Sequence, residues 1–159
     1  MPLAFGFWPL AVSTEGKTFP LHKTASSQQP GDKSPKTIKT MKNFKNYEIW
    51  IDSIELTDVI YDICESFPKN ELYQLGSQME RAVVSIPSNI AEGAGRRSEA
   101  EFAHFLDIAL GSAYELETQL IIAKRRKYIS KELFETTDET IMSLQKRIGS
   151  FIATVIGEK

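Results

Sequence analysis

Residues 71–92 read ELYQLGSQMERAVVSIPSNIAE, and two stripes run through them. Leu75, Met79, Ala82, Val83, Ile86 and Ile90 recur at three- and four-residue steps, the period of a helix with one apolar side. At about 100° per residue, Gln78, Arg81, Ser85, Ser88, Asn89 and Glu92 gather on a second side beside the first. A purely solvated side usually carries more Lys and Glu. Small, hydrogen-bonding side chains instead let another backbone approach closely and offer it partners. Gln78, Arg81, Ser85, Asn89 and Glu92 are therefore expected at an oligomer interface, with the similarly small Gly111 and Ser112 of the following helix. Pro87 removes the amide that would bond the Val83 carbonyl, so a bend is expected there.

The same period extends in both directions. From Phe44, the residues Trp50, Ile54, Ile60, Ile63, Cys64 and Phe67 mark a preceding helix that Pro68 ends. Gly93-Ala94-Gly95 stops the helix over 71–92. Ser98-Glu99-Ala100-Glu101 reads as a capping box, in which Ser98 caps an amide and Glu101 reaches back. Phe102, Phe105, Leu106, Ala109, Ala113, Leu116 and Leu120 then form the stripe of a third helix, with Lys124-Arg125-Arg126-Lys127 in its last turn. Ser130 can cap a fourth, which carries Leu133, Ile141, Leu144, Ile148, Ile152 and Val155. Four helices of about 20–26 residues span roughly 30–39 Å each. Short connections make neighbours antiparallel, and no strand-like alternation appears. The expected fold is all-α: an up-down-up-down antiparallel four-helix bundle over residues 41–159.

Residues 1–40 differ in kind. They hold five of the seven prolines and five lysines against Glu15 and Asp32, a net of +3. The other 119 residues carry 14 basic and 19 acidic groups, a net of −5. A stretch so broken by proline and so poor in periodic apolar residues cannot recover its ordering entropy, so residues 1–40 are expected to be a disordered tail or a spurious N-terminal extension before Met41. Pro2–Val12 is apolar, but it lacks a basic leading segment and a clean small-residue cleavage site, which weighs against a secretion signal. With 159 residues, 42% of them apolar, the chain suits one domain with a real core. The single Cys64 excludes an intrachain disulfide, and no run of 18 apolar residues exists to span a membrane. A cytoplasmic location is expected.

Chemistry-bearing constellations are thin. Glu101-x-x-His104 matches half of a di-iron bundle site, but the only other histidine is His22 and Glu101 is wanted by the cap. Cys64 sits on an apolar stripe, where a thiol packs as a small hydrophobe. Gly93–Ser98 lacks the glycine spacing of a phosphate loop. No catalytic residue, metal or cofactor is expected, and the protein is not expected to be an enzyme. Six cations remain as candidates for RNA or anion contact: Arg96, Arg97, Lys124, Arg125, Arg126 and Lys127. They fall at opposite ends of the third helix, about 40 Å apart, and cannot form one compact patch in a monomer. Four cations in a helix's last turn also complement its dipole without any ligand.

Phe67-Pro68-x-x-Glu71, Leu75-x-x-Gln78-x-x-Arg81-Ala82 and SIPSNIAEGAGRRS over Ser85–Ser98 closely resemble the small bacterial four-helix-bundle family. So do Glu101-Phe102-x-x-Phe105-Leu106, Ala109-x-Gly111-Ser112 and Glu115–Leu120. This family is also called the 23S-rRNA intervening-sequence protein family. The resemblance covers about residues 42–157, and residues 1–40 match nothing in the family pattern. It implies a ring-shaped homopentamer of the bundle, with no established enzymatic activity. A related branch, the accessory protein of diversity-generating retroelements, forms a similar pentamer that binds reverse transcriptase and template RNA through strongly basic surfaces. This chain departs from that branch, its bundle being net −5. The leading expectation is a non-enzymatic oligomeric scaffold or adaptor, and the alternative is an RNA-associated protein linked to ribosomal RNA or a retroelement. Generic RNA is expected to bind weakly or not at all at physiological salt.

Overall fold

The structure, a computed structural model, describes residues 43–157. The expectations for residues 1–40 lie outside the described residues. Asn43 caps a 3₁₀ turn over Phe44–Asn46 by accepting from the Lys45 amide. Helix α1 (Glu48–Glu65) follows, and Ser66–Pro68 leads to a single turn, α2 (Lys69–Glu71). The chain then passes through a π-helical turn (Leu72–Gly76) directly into α3 (Ser77–Ala94). Helices α4 (Glu99–Arg125) and α5 (Lys131–Ile156) complete the bundle. Its four long helices, α1, α3, α4 and α5, pack in the order α1–α3–α4–α5, with α5 returning beside α1. This is the all-α four-helix bundle expected from the pattern, with no strand among the described residues.

The core is filled by Leu56, Ile60, Met79, Ile86, Ile90, Phe102, Leu106, Leu116, Leu120, Ile141, Leu144 and Ile148, all at most 2% exposed. Burying each such aliphatic or aromatic side chain contributes about 1.5–3 kcal/mol, so these residues together hold the four helices in place. Two expected core positions are corrected. Ile54 lies about 120° around α1 from Ile60, so it faces out while Ile49, Ser53, Leu56 and Ile63 face in. Leu133 is also exposed, because Thr137 and Ile141 take the inner positions of α5.

The ends are set by local chemistry. Ser98 accepts from the Glu101 amide at 3.2 Å while the Glu101 carboxylate receives the Ser98 amide, a full capping box. That bonding, from the Ser98 hydroxyl first and its backbone second, holds the Glu101 carboxyl below its ordinary pKa. Ser130 caps α5 by accepting from the Leu133 amide at 3.1 Å. Gly93 lets α3 and α4 meet closely, since a Cβ there would sit 2.7 Å from Phe105 Cβ. Pro87 is buried, and α3 runs on through it. Cys64 is buried with its thiol 3.6 Å from the Gly76 carbonyl, and burial followed by the Glu80 charge pushes its pKa up to about 12. Such a thiol is inert at neutral pH.

Candidate oligomer interface on α3 and α4

The stripe read from residues 71–92 lies on the outer side of α3, along its seam with α4. Ser85 and Ser112 meet across that seam with their hydroxyl oxygens 2.9 Å apart. Asn89 donates to the Ser85 carbonyl at 2.8 Å and to its hydroxyl at 3.0 Å. The Ser112 hydroxyl also donates back to the Ile108 carbonyl at 3.0 Å. Ser85, Asn89 and Ser112 are half-buried, so part of their bonding capacity closes a seam inside one chain. Gln78, Arg81, Glu92 and Gly111 face outward. Arg81 donates to the Ser77 hydroxyl at 3.1 Å and makes no ion pair among the described residues. Glu92 is paired with Arg96.

Gly111 is the informative position. It stands in the middle of the 27-residue α4, where glycine costs about 1 kcal/mol against alanine. Among the described residues, a Cβ built there meets nothing within 4 Å, and no contact requires a glycine. The outward sides of α3 and α4 are also more apolar than the sequence stripes suggested: Val84 on α3 and Ile108 and Ile122 on α4 are each about 40% exposed. In the sequence the two isoleucines of α4 stand behind its more regular inward stripe. Its outward positions, read at the same period, also carry isoleucines. A helix that is apolar on more than one side is normally covered on more than one side.

The six candidate cations behave differently. Arg96 pairs with Glu92 and lies over the Phe105 ring at 4.4 Å. Lys124 lies over the Phe134 ring at 3.8 Å, and Arg126 donates to the Tyr128 hydroxyl at 3.2 Å. Arg97, Arg125 and Lys127 are exposed. The basic run does not complete the last turn of α4 as expected. The helix ends at Arg125, and Lys127 takes a left-handed conformation with φ of 60°. The two groups sit at opposite ends of α4, as the sequence implied.

His104 is exposed at the edge of Phe105, and among the described residues no group of three His, Cys, Asp or Glu side chains is placed to hold a metal. No described helix is long and apolar enough to cross a membrane. The seam between α1 and α5 is the loosest of the four and holds two open clefts of about 400 and 500 Å³. Arg147 lines both, paired with Glu48 at 2.9 Å and with Asp52.

Comparison with known proteins gives the bundle its relatives. No curated protein matches the chain. Among solved structures, a protein of unknown function from the S23 ribosomal protein family of Bacteroides thetaiotaomicron is similar, with 28% identity and a TM-score of 0.62. The match covers 65% of this chain and 97% of that one. The signature of the 23S rRNA-intervening sequence proteins matches residues 45–150, from the turn before α1 to near the end of α5. The chain therefore belongs to the 23S rRNA-intervening sequence protein family.

Proposed function

We propose that the protein is a non-enzymatic, homo-oligomeric scaffold, a cytoplasmic homopentamer assembled through the outer side of α3 and α4. The observation that carries this reading is Gly111, a glycine in mid-helix with open space where its side chain would be. A second backbone approaching α4 gives that glycine a purpose, and it covers Ile108, one turn away and 39% exposed. Gln78, Arg81 and Glu92 rim the patch, as polar groups do at the edge of a protein interface. The engagement of Arg96, Lys124 and Arg126 within the chain favours protein over RNA as the partner.

Light scattering at micromolar concentration tests the reading. Gly111→Leu places a bulky side chain in space that is open within the chain, so it should leave helix content unchanged while lowering the particle mass. A wild-type monomer, or a variant that assembles as well as the wild type, refutes the reading.

A further inference from the structure

Helix α1 carries six carboxylates, Glu48, Asp52, Glu55, Asp58, Asp62 and Glu65, and no Lys or Arg. Arg147 of α5 answers Glu48 and Asp52. Glu55, Asp58, Asp62 and Glu65 are exposed and make no ion pair among the described residues. Counted at about 100° per residue from the buried Ile60, Asp52 turns towards α5, while Cys64, which meets Gly76, turns towards α3. Thr57, Trp50, Tyr61 and Ile54 then lie about 60–120° from Ile60, on the shoulder of α1 beside α3. On α3, Ser85 turns to α4, so the opposite shoulder, lined by Pro87, Glu80, Ala91 and Val84, faces α1.

The two shoulders are level. A Cβ on Gly76 would lie 3.7 Å from Cys64 Cβ, which sets those residues side by side. Because α1 and α3 run antiparallel, Tyr61 is then level with Glu80, Thr57 with Val84, Ile54 with Pro87 and Trp50 with Ala91. Between them runs a groove about 16 Å long, or three helical turns. Ile54, Tyr61 and Val84 are exposed along it, Trp50 and Ala91 are half-buried, and Pro87 is buried beneath. Phe44 closes one end, edge-on to Trp50 with ring centroids 5.2 Å apart. Asp58, Glu65 and Glu80 stand at the edges, without an ion pair among the described residues. The neighbouring cations lie off the groove: Arg81 sits on the α4 side of α3, bonded to Ser77, and Lys45 lies at the Phe44 end.

An apolar groove edged by carboxylates fits an amphipathic helix with one apolar stripe flanked by Lys or Arg. The long helices of this chain do not supply one. Each of α3, α4 and α5 carries more carboxylates than Lys and Arg side chains, and residues 41–159 are net −5. A second bundle would bring like charge to the groove, so the complementary helix belongs to another protein.

We propose that the groove between α1 and α3 docks a cationic amphipathic helix of a partner protein. The partner's apolar stripe packs on Trp50, Ile54, Tyr61 and Val84, and its Lys or Arg side chains meet Asp58, Glu65 and Glu80. This side of the bundle is separate from the α3/α4 side, so docking there does not depend on assembly and gives a scaffold its client.

The test uses the full-length chain carrying Trp8→Phe, which leaves Trp50 as the one tryptophan. The probe is a synthetic peptide of about 14 Leu and Lys residues with Leu at helical i, i+3, i+4, i+7 spacing, long enough to fill the groove. It should shift the Trp50 emission to the blue, with affinity that rises as salt falls. A scrambled peptide of the same composition should bind about tenfold more weakly or worse, and a Leu/Glu peptide of the same pattern should not bind. Ile54→Ser and Val84→Ser, both at exposed positions, should each keep helix content and weaken the Leu/Lys peptide about fivefold or more. Asp58→Asn with Glu65→Gln should weaken it and flatten the salt dependence. No emission shift, equal binding of the scrambled or Leu/Glu peptide, or full affinity in both serine variants overturns the proposal. A lower particle mass in Ile54→Ser puts a second copy in the groove and overturns it as well. A wild type that is monomeric yet binds the peptide in this way removes the oligomer reading and leaves the docking site standing.

Discussion

Replacing Gly93 by alanine should destabilise the bundle, although a helix-interior glycine normally gains about 1 kcal/mol from that exchange. The sign depends on what the new methyl meets. It would sit 2.7 Å from Phe105 Cβ, 2.8 Å from Phe102 Cδ2 and 3.3 Å from Phe102 Cε2. Phe105 Cβ is fixed to the backbone of α4 and cannot rotate away. The Phe102 ring is 1% exposed and in contact with Tyr47 and Phe151, so it has no free space to enter. The start of α4 must therefore move off α3. Overpacking of this kind costs about 1–3 kcal/mol, which outweighs or cancels the propensity gain and leaves a net loss of about 1 kcal/mol. Urea unfolding at fixed protein concentration measures it as a lower midpoint at an unchanged slope. A midpoint that rises, as at an open helical site, would refute the reasoning that Gly93 is a point of close helix contact.

Three further outcomes follow from named groups. Ser98→Ala should cost about 1 kcal/mol by opening the capping box, read in the same urea titration. Because the folded Glu101 pKa lies below its unfolded value, the Glu101 contribution is complete above the unfolded value and is lost as pH falls through the folded one; the stability gap between wild type and Glu101→Gln should therefore close in acid and persist at neutral pH. Arg147→Met should loosen α1 from α5 at a cost of about 0.5–1 kcal/mol, modest because the Arg147 and Glu48 side chains are 38% and 85% exposed, and the cost should shrink at high salt. In filter binding, generic RNA should bind weakly or not at all at physiological salt and more strongly as salt falls, with the Lys124–Lys127 run neutralised as control; tight, sequence-selective binding that this variant abolishes would promote RNA to the main partner.

The helices were legible because each carries a strong inward stripe, and the capping box at Ser98 was legible because its two residue types at that spacing have one economical use. The loop positions of Gly95 and Pro68 followed in the same way. Ile54 misled because it lies at three- and four-residue steps from other apolar residues while pointing about 120° from the inner side of α1. The π-helical turn at Leu72–Gly76 leaves no mark in the pattern, since its residues continue the helical register on both sides. On α3, the polar stripe was visible, but its division between an inner seam and an outer rim was not. Whether Ser85 turns to Ser112 or to another chain depends on how closely α4 lies, and Gly93 sets that closeness twelve Å or so along the seam. The apolar outer side of α4 was present in the sequence as Ile108, Tyr114, Ile121 and Ile122, hidden behind a more regular inner stripe.

Assembly is read from the mass of the wild-type particle in solution. Sedimentation velocity or light scattering on the full-length chain at micromolar concentration should give a single species of five 17.9 kDa chains. A species at the mass of one chain would refute assembly and leave Gly111 and the exposed isoleucines of α4 uncovered.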